Sequence, residues 1–460
     1  MSEADESVDE NLGESYALDA RRVSSVREAV HEGDAERLTE LMAPLHAADI
    51  ADLLEQIDGD ERHRLVTLYG REFDGEILSE LGEGIREEVV AALHPDVLTE
   101  AVRELESDDV VDLIESLDEP QQETILQALE AFDRVAVERA LTYPEYSAGR
   151  MMQREVVTAP EHWRVGDAID FLRAHGDLPD QFYHVILVDP AIRPVGYVTL
   201  GKLMSSRRHV KLADITEESF RTFRAEEPEG DVAYAFNQYH LISAPVVDEG
   251  GRLIGIITID DAMSVLDEET EEDLRLLAGV GDESLNDNTL EIVRRRFPWL
   301  AVNLGTAILA SLVIAQFEAA IAAIVALAVL MPIIASMGGN AATQSLTVAV
   351  RALATRDLTG SNALRVMRRE IMAGLLNGVA FAVIMGIIGI IWFGSPMLGA
   401  VIGAAMVINL IVAALAGIAI PLGLEKSGID PALASGTFVT TVTDVIGFFA
   451  FLGLASVLLL

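Results

Sequence analysis

Residues 432–460 read ALASGTFVTTVTDVIGFFAFLGLASVLLL, an apolar run interrupted by one charge, Asp444. At about 20 helical residues per ~30 Å of hydrocarbon, the run is long enough to cross a bilayer. A carboxylate near the middle of such a span costs roughly 2.5–3.5 kcal/mol on insertion scales, so it persists where something positive meets it. Lys and Arg are absent from every apolar run of this chain, so no side chain within the spans supplies that charge. A cation from solution is the remaining counter-charge, and the run reads as part of a cation pathway.

Four more apolar stretches precede it, at about 299–317, 319–337, 371–393 and 397–422. Five spans put the two ends of the chain on opposite sides of a membrane. Arg294, Arg295 and Arg296 lead into the first span. Arg351, Arg356, Arg365, Arg368 and Arg369 lie between the second and third, and Lys426 lies between the fourth and fifth. The other two loops carry no basic residue. The positive-inside rule then predicts that residues 1–298 are cytoplasmic and Leu460 is external, in a multi-pass protein of the plasma membrane.

Charge divides the chain at the same place. Residues 298–460 hold six acids and six bases, so the whole net charge of −41 belongs to residues 1–297. A domain this acidic repels phosphate backbones, which excludes nucleic acid as a partner and favours divalent cations. Cysteine is absent, which removes disulfides, zinc–thiolate sites and thiol nucleophiles. Histidine is sparse and no nucleophile–base spacing stands out, so no enzyme is expected. The polar, acidic start (residues 1–20) is expected to be a disordered tail rather than a signal peptide.

Two membrane segments carry oxygen donors. Met331-Pro332 and Ser336-Met337-Gly338-Gly339-Asn340, with Thr343 and Gln344 close behind, are expected to interrupt the second span and line a wet cavity through Asn340 and Gln344. In the fifth span Thr437, Thr440, Thr441 and Asp444 recur at helical spacing and share a face. Hard oxygens without Cys or His suit magnesium, calcium or manganese. Magnesium keeps its waters, so one carboxylate acting through them is a workable site. Asn377 and Asn409 are expected to join helices by hydrogen bonds. One acidic stripe on five helices closes a pore poorly, so a two-fold homodimer pairing two Asp444 residues is expected.

The cytoplasmic half contains repeats. Val185-Ile186-Leu187-Val188-Asp189, Gly196, Thr199 and Met204 recur 59 residues later as Ala244-Pro245-Val246-Val247-Asp248, Gly255, Thr258 and Met263. Each copy reads as strand, turn, strand and helix start. The pattern resembles a tandem pair of CBS domains, here 141–266, a fold that often binds adenine nucleotides. The resemblance implies a phosphate and ribose site, possible for ATP, at Thr258 and Asp261; the first copy has Lys202 where that Asp would stand. Upstream, residues 21–140 have helical period. The stretch Asp49 to Asp58 recurs as Asp109 to Asp118, with the leading Asp expected as a helix N-cap, and stacked helical hairpins of a superhelical domain follow. Asp108, Asp109 and Asp112 are expected to lie close enough to share a cation. Six carboxylates then crowd into Asp267-Glu268-Glu269-Thr270-Glu271-Glu272-Asp273, within a connecting helix expected over 267–297. Their repulsion would be relieved by a divalent ion.

The order helical domain, CBS pair, connecting (plug) helix and five-helix transmembrane domain (298–460) resembles the MgtE magnesium channel family. So do Tyr146-Ser147-Ala148-Gly149-Arg150-Met151-Met152, Arg296-Phe297-Pro298-Trp299, Gly338-Gly339-Asn340 through Gln344, and Thr440-Thr441-Val442-Thr443-Asp444. The resemblance implies a homodimeric, magnesium-selective channel embedded in membrane lipid. It also implies that Asp444 meets hydrated magnesium on the pore axis, and that Glu272 and Asp273, near Asp267 and Glu271, take part in cytoplasmic sensing. The alternative reading is a membrane-anchored nucleotide or ion sensor that transports nothing.

Overall fold

A computed structural model describes residues 18–174, 178–179, 181–217, 220–280 and 289–460; the expected tail at 1–20 lies almost wholly outside the described residues. The chain forms two compact units divided between Leu266 and Asp267.

The first unit begins with short helices: α1 (Ala20–Glu32), α2 (Ala35–Met42), α3 (Ala47–Gln56), α4 (Gly59–Tyr69), α5 (Glu76–Ser79), α6 (Glu83–Ala92), α7 (Pro95–Glu104), α8 (Ser107–Glu115), α9 (Glu119–Ala128) and α10 (Ala131–Ala140). None is long enough to be stable alone. Each buries one apolar stripe in a common core that includes Leu54, Leu65, Ile77, Leu78, Leu113, Ile114 and Ile125. Full burial of one such side chain is worth about 1.5–3 kcal/mol.

The 60-residue repeat pairs α3 with α8, but its leading Asp is not the cap. His46 caps α3, and Asp49 sits at the third helical position, where its carboxylate accepts from the His46 N–H at 3.2 Å. That reciprocal arrangement satisfies two helix-start donors at once. Glu106 is the N-cap residue of α8, which likewise puts Asp109 third.

Buried arginines stitch successive hairpins. Arg62 donates to the Leu54 and Ile57 carbonyls and pairs with Glu88. Arg86 donates to the Leu81 carbonyl and pairs with Asp112 at 2.6 Å. Each ion pair links residues 26 apart, the stagger of a short solenoid.

Two three-stranded sheets follow, each a parallel pair extended by an antiparallel hairpin. The first comprises β1 (Thr158–Pro160), β2 (His184–Val188) and β3 (Pro194–Thr199), with helices α11 (Val165–Ala174) and α12 (Leu200–Ser205). The second comprises β4 (Phe223–Arg224), β5 (Ser243–Val247) and β6 (Leu253–Thr258), with α13 (Glu229–Tyr239) before β5. Val185 pairs with Val198 and Ala244 with Ile257, and each hairpin carries a bulge at the matching place. The sequence repeat is thus a structural one. At its centre the buried His184 and Ser243, equivalent positions 59 apart, are joined by a hydrogen bond. Burial holds the His184 pKa down to about 4, so the ring is neutral there.

Helix α14 (Ile259–Ala278) leaves β6 directly. Then come α15 (Thr289–Ala315), a short α16 (Glu318–Ala323), α17 (Ala326–Ala354), α18 (Ala363–Phe393), α19 (Pro396–Lys426) and α20 (Pro431–Leu458). Five helices, α15 and α17 to α20, are long and apolar enough to cross a membrane. α19 is the hub of the unit and is the most buried of the five. Small residues let its neighbours approach: a Cβ on Gly399 would lie 2.6 Å from the Gly386 carbonyl oxygen of α18.

The expected interruption of the second span is absent. α17 runs unbroken through Pro332, Gly338 and Gly339, and the irregular backbone lies before it, at residues 324–325. Pro332 is the seventh helical residue, past the first turn, so its missing N–H leaves the Ala328 carbonyl without its usual i→i−4 donor, yet the helix continues. The glycines serve close packing instead of a break.

Candidate cation pathway and acidic clusters

The face of α20 predicted from spacing is present. Thr437, Thr440, Thr441 and Asp444 are all half-buried, whereas Thr443, off that stripe, is fully buried. The Thr440 hydroxyl donates to the Gly436 carbonyl at 2.9 Å and the Thr441 hydroxyl to the Thr437 carbonyl at 2.6 Å. Their protons are therefore spent on the helix, and the oxygen lone pairs remain to accept from the waters of a hydrated cation. Among the described residues Asp444 has no ion pair and no hydrogen bond. Thr437 donates to Asn303 Oδ1 at 2.9 Å, which ties the stripe to α15. Asn303 is a site residue that spacing did not reveal; its signal was a lone amide in an apolar run.

Asn409 organises the crossing of α17, α19 and α20. It is fully buried, and its Nδ2 donates to the Ile334 carbonyl at 2.9 Å, so it joins helices as expected. Its Oδ1 has no hydrogen-bond partner among the described residues. A Cβ on Gly338 would lie 2.3 Å from its amide nitrogen, and one on Gly447 would lie 2.9 Å from it. Both glycines therefore touch one side chain. α17 and α20 run antiparallel, so the ~1.5 Å helical rise puts Asn340 and Asp444 about 3 and 4.5 Å from that level, on the same side. They share a depth but not a ligand set: Asn340 and Gln344 are exposed, and the Asn340 amide donates to Ser336 at 3.4 Å. Asn377, exposed in α18, joins no other helix among the described residues.

A second acidic place lies at the α20 N-terminus. Asp430 caps the helix, accepting from the Ala432 N–H at 2.6 Å. Asp273 of α14 faces it. Burial first, then the charges of Asp430, Glu269 and Glu272, push the Asp273 pKa up to about 6. Leu276 and Leu277, one turn on, pack against Ala342, Leu346 and Val439. The last turn of α14 thus sits where α17 meets α20. Asp267, Glu271 and Glu272 are exposed on the outer side of α14. Asp430 was missed in sequence because it lies 157 residues from Asp273 (430 − 273) and reads as an ordinary cap.

The third place is in the first unit, where α8 meets the start of α14. Asp108 is buried, and Asp109 and Asp261 are half-buried. Burial, then the charge of Asp261, pushes Asp108 well above the usual carboxylate range. Burial and the same neighbour push Asp109 up to about 7. Asp261 also rises to about 7, through burial and the Asp260 charge, although the Thr258 hydroxyl donates to it at 2.8 Å. Glu106, beside them, bonds to Gln153. Asp112 is exposed and pairs with Arg86 at 2.6 Å, although its charge still contributes to raising Asp109. The Thr258–Asp261 pair is thus turned into a crowd of carboxylates, surroundings that favour a cation. Among the described residues no three carboxylate or histidine side chains converge tightly enough to hold a bare metal ion, which is compatible with ligation through water.

Three family models match the chain. One, described as a divalent cation transporter (MgtE), covers residues 331–454; the MgtE intracellular N domain covers 45–146; the CBS domain covers 148–209 and 212–268. A Thermus thermophilus protein named Magnesium transporter MgtE is 31% identical over 449 residues, 96% of this chain and 99% of its own length. The chain belongs to the MgtE family. A Bacillus subtilis MgtE is also 31% identical, over 72% of this chain and 74% of its own. Among solved structures, the cytosolic domain of the Mg2+ channel MgtE in complex with ATP is 30% identical with a TM-score of 0.49; it spans 53% of this chain and 99% of that one. Asn340, Asn409 and Asp444 fall inside the transporter match, Asp108 in the N-domain match and Asp261 in the CBS match.

Proposed function

We propose that this MgtE chain is a homodimeric channel that admits magnesium through the plasma membrane, with its N-terminal half cytoplasmic and its C-terminus external. The observation that carries the reading is Asp444: a lone carboxylate on a face of half-buried hydroxyls, with no protein cation to meet it. A hydrated divalent ion supplies the missing charge, and the threonine lone pairs receive its waters. Two such faces about a two-fold axis would double the charge at one level of the pore.

Gating is the finer part of the proposal. At low cytoplasmic magnesium the carboxylates of Asp108, Asp109 and Asp261, and those of Asp273 and Asp430, repel one another. Magnesium bridging them favours the arrangement that brings them together, in proportion to its differential affinity for that state. α14 carries Asp261 at its start, and it carries Asp273 in the turn before Leu276 and Leu277, which pack where α17 meets α20, so magnesium at Asp273 and Asp430 acts beside that crossing. An adenine nucleotide at Thr258 and Asp261 would arrive with its own magnesium, given the charge around that pair.

The test is magnesium uptake by liposomes holding the full chain, wild type against Asp444→Asn. Equal uptake above that of empty liposomes would end the role given to Asp444, and no uptake by either chain would end the channel reading and leave the non-transporting sensor. Crosslinking in the membrane that returns only monomers would end the dimer.

A further inference from the structure

Where the chain turns between α17 and α18, a cavity of about 340 Å3 opens to the surface. Ala349 of α17, Val366 of α18 and the buried Ile418 of α19 form an apolar wall. Asn362, Arg365, Arg369 and Asp357 form a polar rim. Arg365 and Arg369 are one helical turn apart and share a face with Asn362. Both are exposed. Arg369 has its neighbour Glu370 at 3.5 Å, whereas Arg365 has no ion pair among the described residues. Asp357 accepts from the Thr355 hydroxyl at 3.0 Å. Two guanidiniums thus face one carboxylate, and the rim is net positive. The site stands just outside the apolar parts of α17 and α18, at headgroup depth, on the side that carries the chain's basic loops.

We propose that this cavity binds the phosphate of an anionic phospholipid, with the glycerol and first acyl carbons on the Ala349, Val366 and Ile418 wall. Guanidinium groups match phosphate oxygens in a two-pronged geometry. The volume falls within the roughly 300–1,000 Å3 of ordinary small-ligand sites. A free phosphate would use the arginines and leave the apolar wall wet; an amphiphile uses both. The occupant is therefore a lipid of the bilayer that surrounds the helices.

The experiment is native mass spectrometry of the full chain released from nanodiscs of phosphatidylcholine doped with phosphatidylglycerol. Two basic residues near an anionic headgroup are together worth roughly twentyfold or more in affinity. The wild type should retain phosphatidylglycerol over phosphatidylcholine by about that factor, and Arg365→Gln with Arg369→Gln should lose the preference. The charge-matched control, Arg351→Gln with Arg368→Gln, lies off the cavity and should keep it. Equal loss in both double variants would mean diffuse surface attraction and overturn the proposal. So would displacement of the lipid by glycerol 3-phosphate at equal concentration, which would make the site one for a soluble phosphate. Nanodiscs expose both leaflets and no ion flux is measured, so the result is independent of chain orientation and of Asp444.

Discussion

Asp444 and the Asp108–Asp109–Asp261 group are the same side chain in opposite circumstances. Asp444 is solitary, in an apolar helix, with hydroxyls for company. The aspartates of the first unit are crowded, and each is made harder to ionise by burial first and then by neighbouring carboxylates. Solitude and crowding call for a cation for different reasons. In the membrane the penalty is desolvation of one charge, which a passing hydrated ion relieves without staying. At the α8–α14 junction burial again comes first, but mutual repulsion is added to it, and a resident ion relieves both. On the proposed function, a site that releases its ion and a site that reports ion concentration are built from one residue type.

The largest expected effect lies on the solitary side. Asp444→Asn removes the carboxylate of the stripe and should slow initial magnesium uptake into liposomes by on the order of a hundredfold, the scale set by the cost of an uncompensated charge in the membrane. If that variant instead loses only the response to internal magnesium, the roles assigned to the two regions are reversed.

Next comes metal removal, with its pH dependence. The folded-state values of Asp109 and Asp261, about 7, lie above the ordinary aspartate value of about 3.9. The folded protein thus binds more protons than the unfolded one. Stability from these groups is present below about pH 4 and is lost as pH rises through about 7. Magnesium at a hundredfold over its dissociation constant should restore about 2.7 kcal/mol. The melting temperature of the full chain should therefore rise on adding magnesium at pH 7.5 and rise much less at pH 5.5. Equal shifts at both pH values would count against carboxylate ligation.

Neutralising the crowd should mimic the metal in part. Asp109→Asn with Asp261→Asn should raise magnesium-free stability at pH 7.5 by on the order of 1 kcal/mol, after allowance for solvent screening. It should also shrink the magnesium-induced rise in melting temperature. Asp112→Asn is the contrasting variant: it leaves Arg86 short of its partner and should destabilise with or without metal.

The smallest effect belongs to the scaffold of the solitary site. Asn409→Leu removes one interhelical hydrogen bond, worth about 0.6 kcal/mol on average in membrane proteins. Because Asn409 sets the contact between α17 and α20, magnesium uptake should fall by more than so small a stability change implies; an unchanged rate would reduce Asn409 to packing.

Much of this was legible in one dimension because it rests on period and composition. The spans, the Thr–Asp stripe and the 59-residue strand–strand–helix repeat are local patterns, and burial preserved them. The reading failed where a local rule met a long-range partner. Pro332 and Gly338-Gly339 look like helix breakers, yet Gly338 is small because Asn409 needs the room. Asp49 looks like a cap, yet His46 takes that role and Asp49 answers it. Asp112 looks like a third ligand beside Asp108 and Asp109, yet Arg86, 26 residues away, claims it.

Sequence alone determined which segments leave water, which half carries the charge and which carboxylate stands alone, since hydrophobicity and net charge are sums over residues. Tertiary structure decided which acids crowd together, that Asp273 meets Asp430, and that one buried amide of α19 bonds α17 where Gly447 of α20 packs on it. Those are pairings between residues tens to hundreds of positions apart, and only the folded chain's packing selects them.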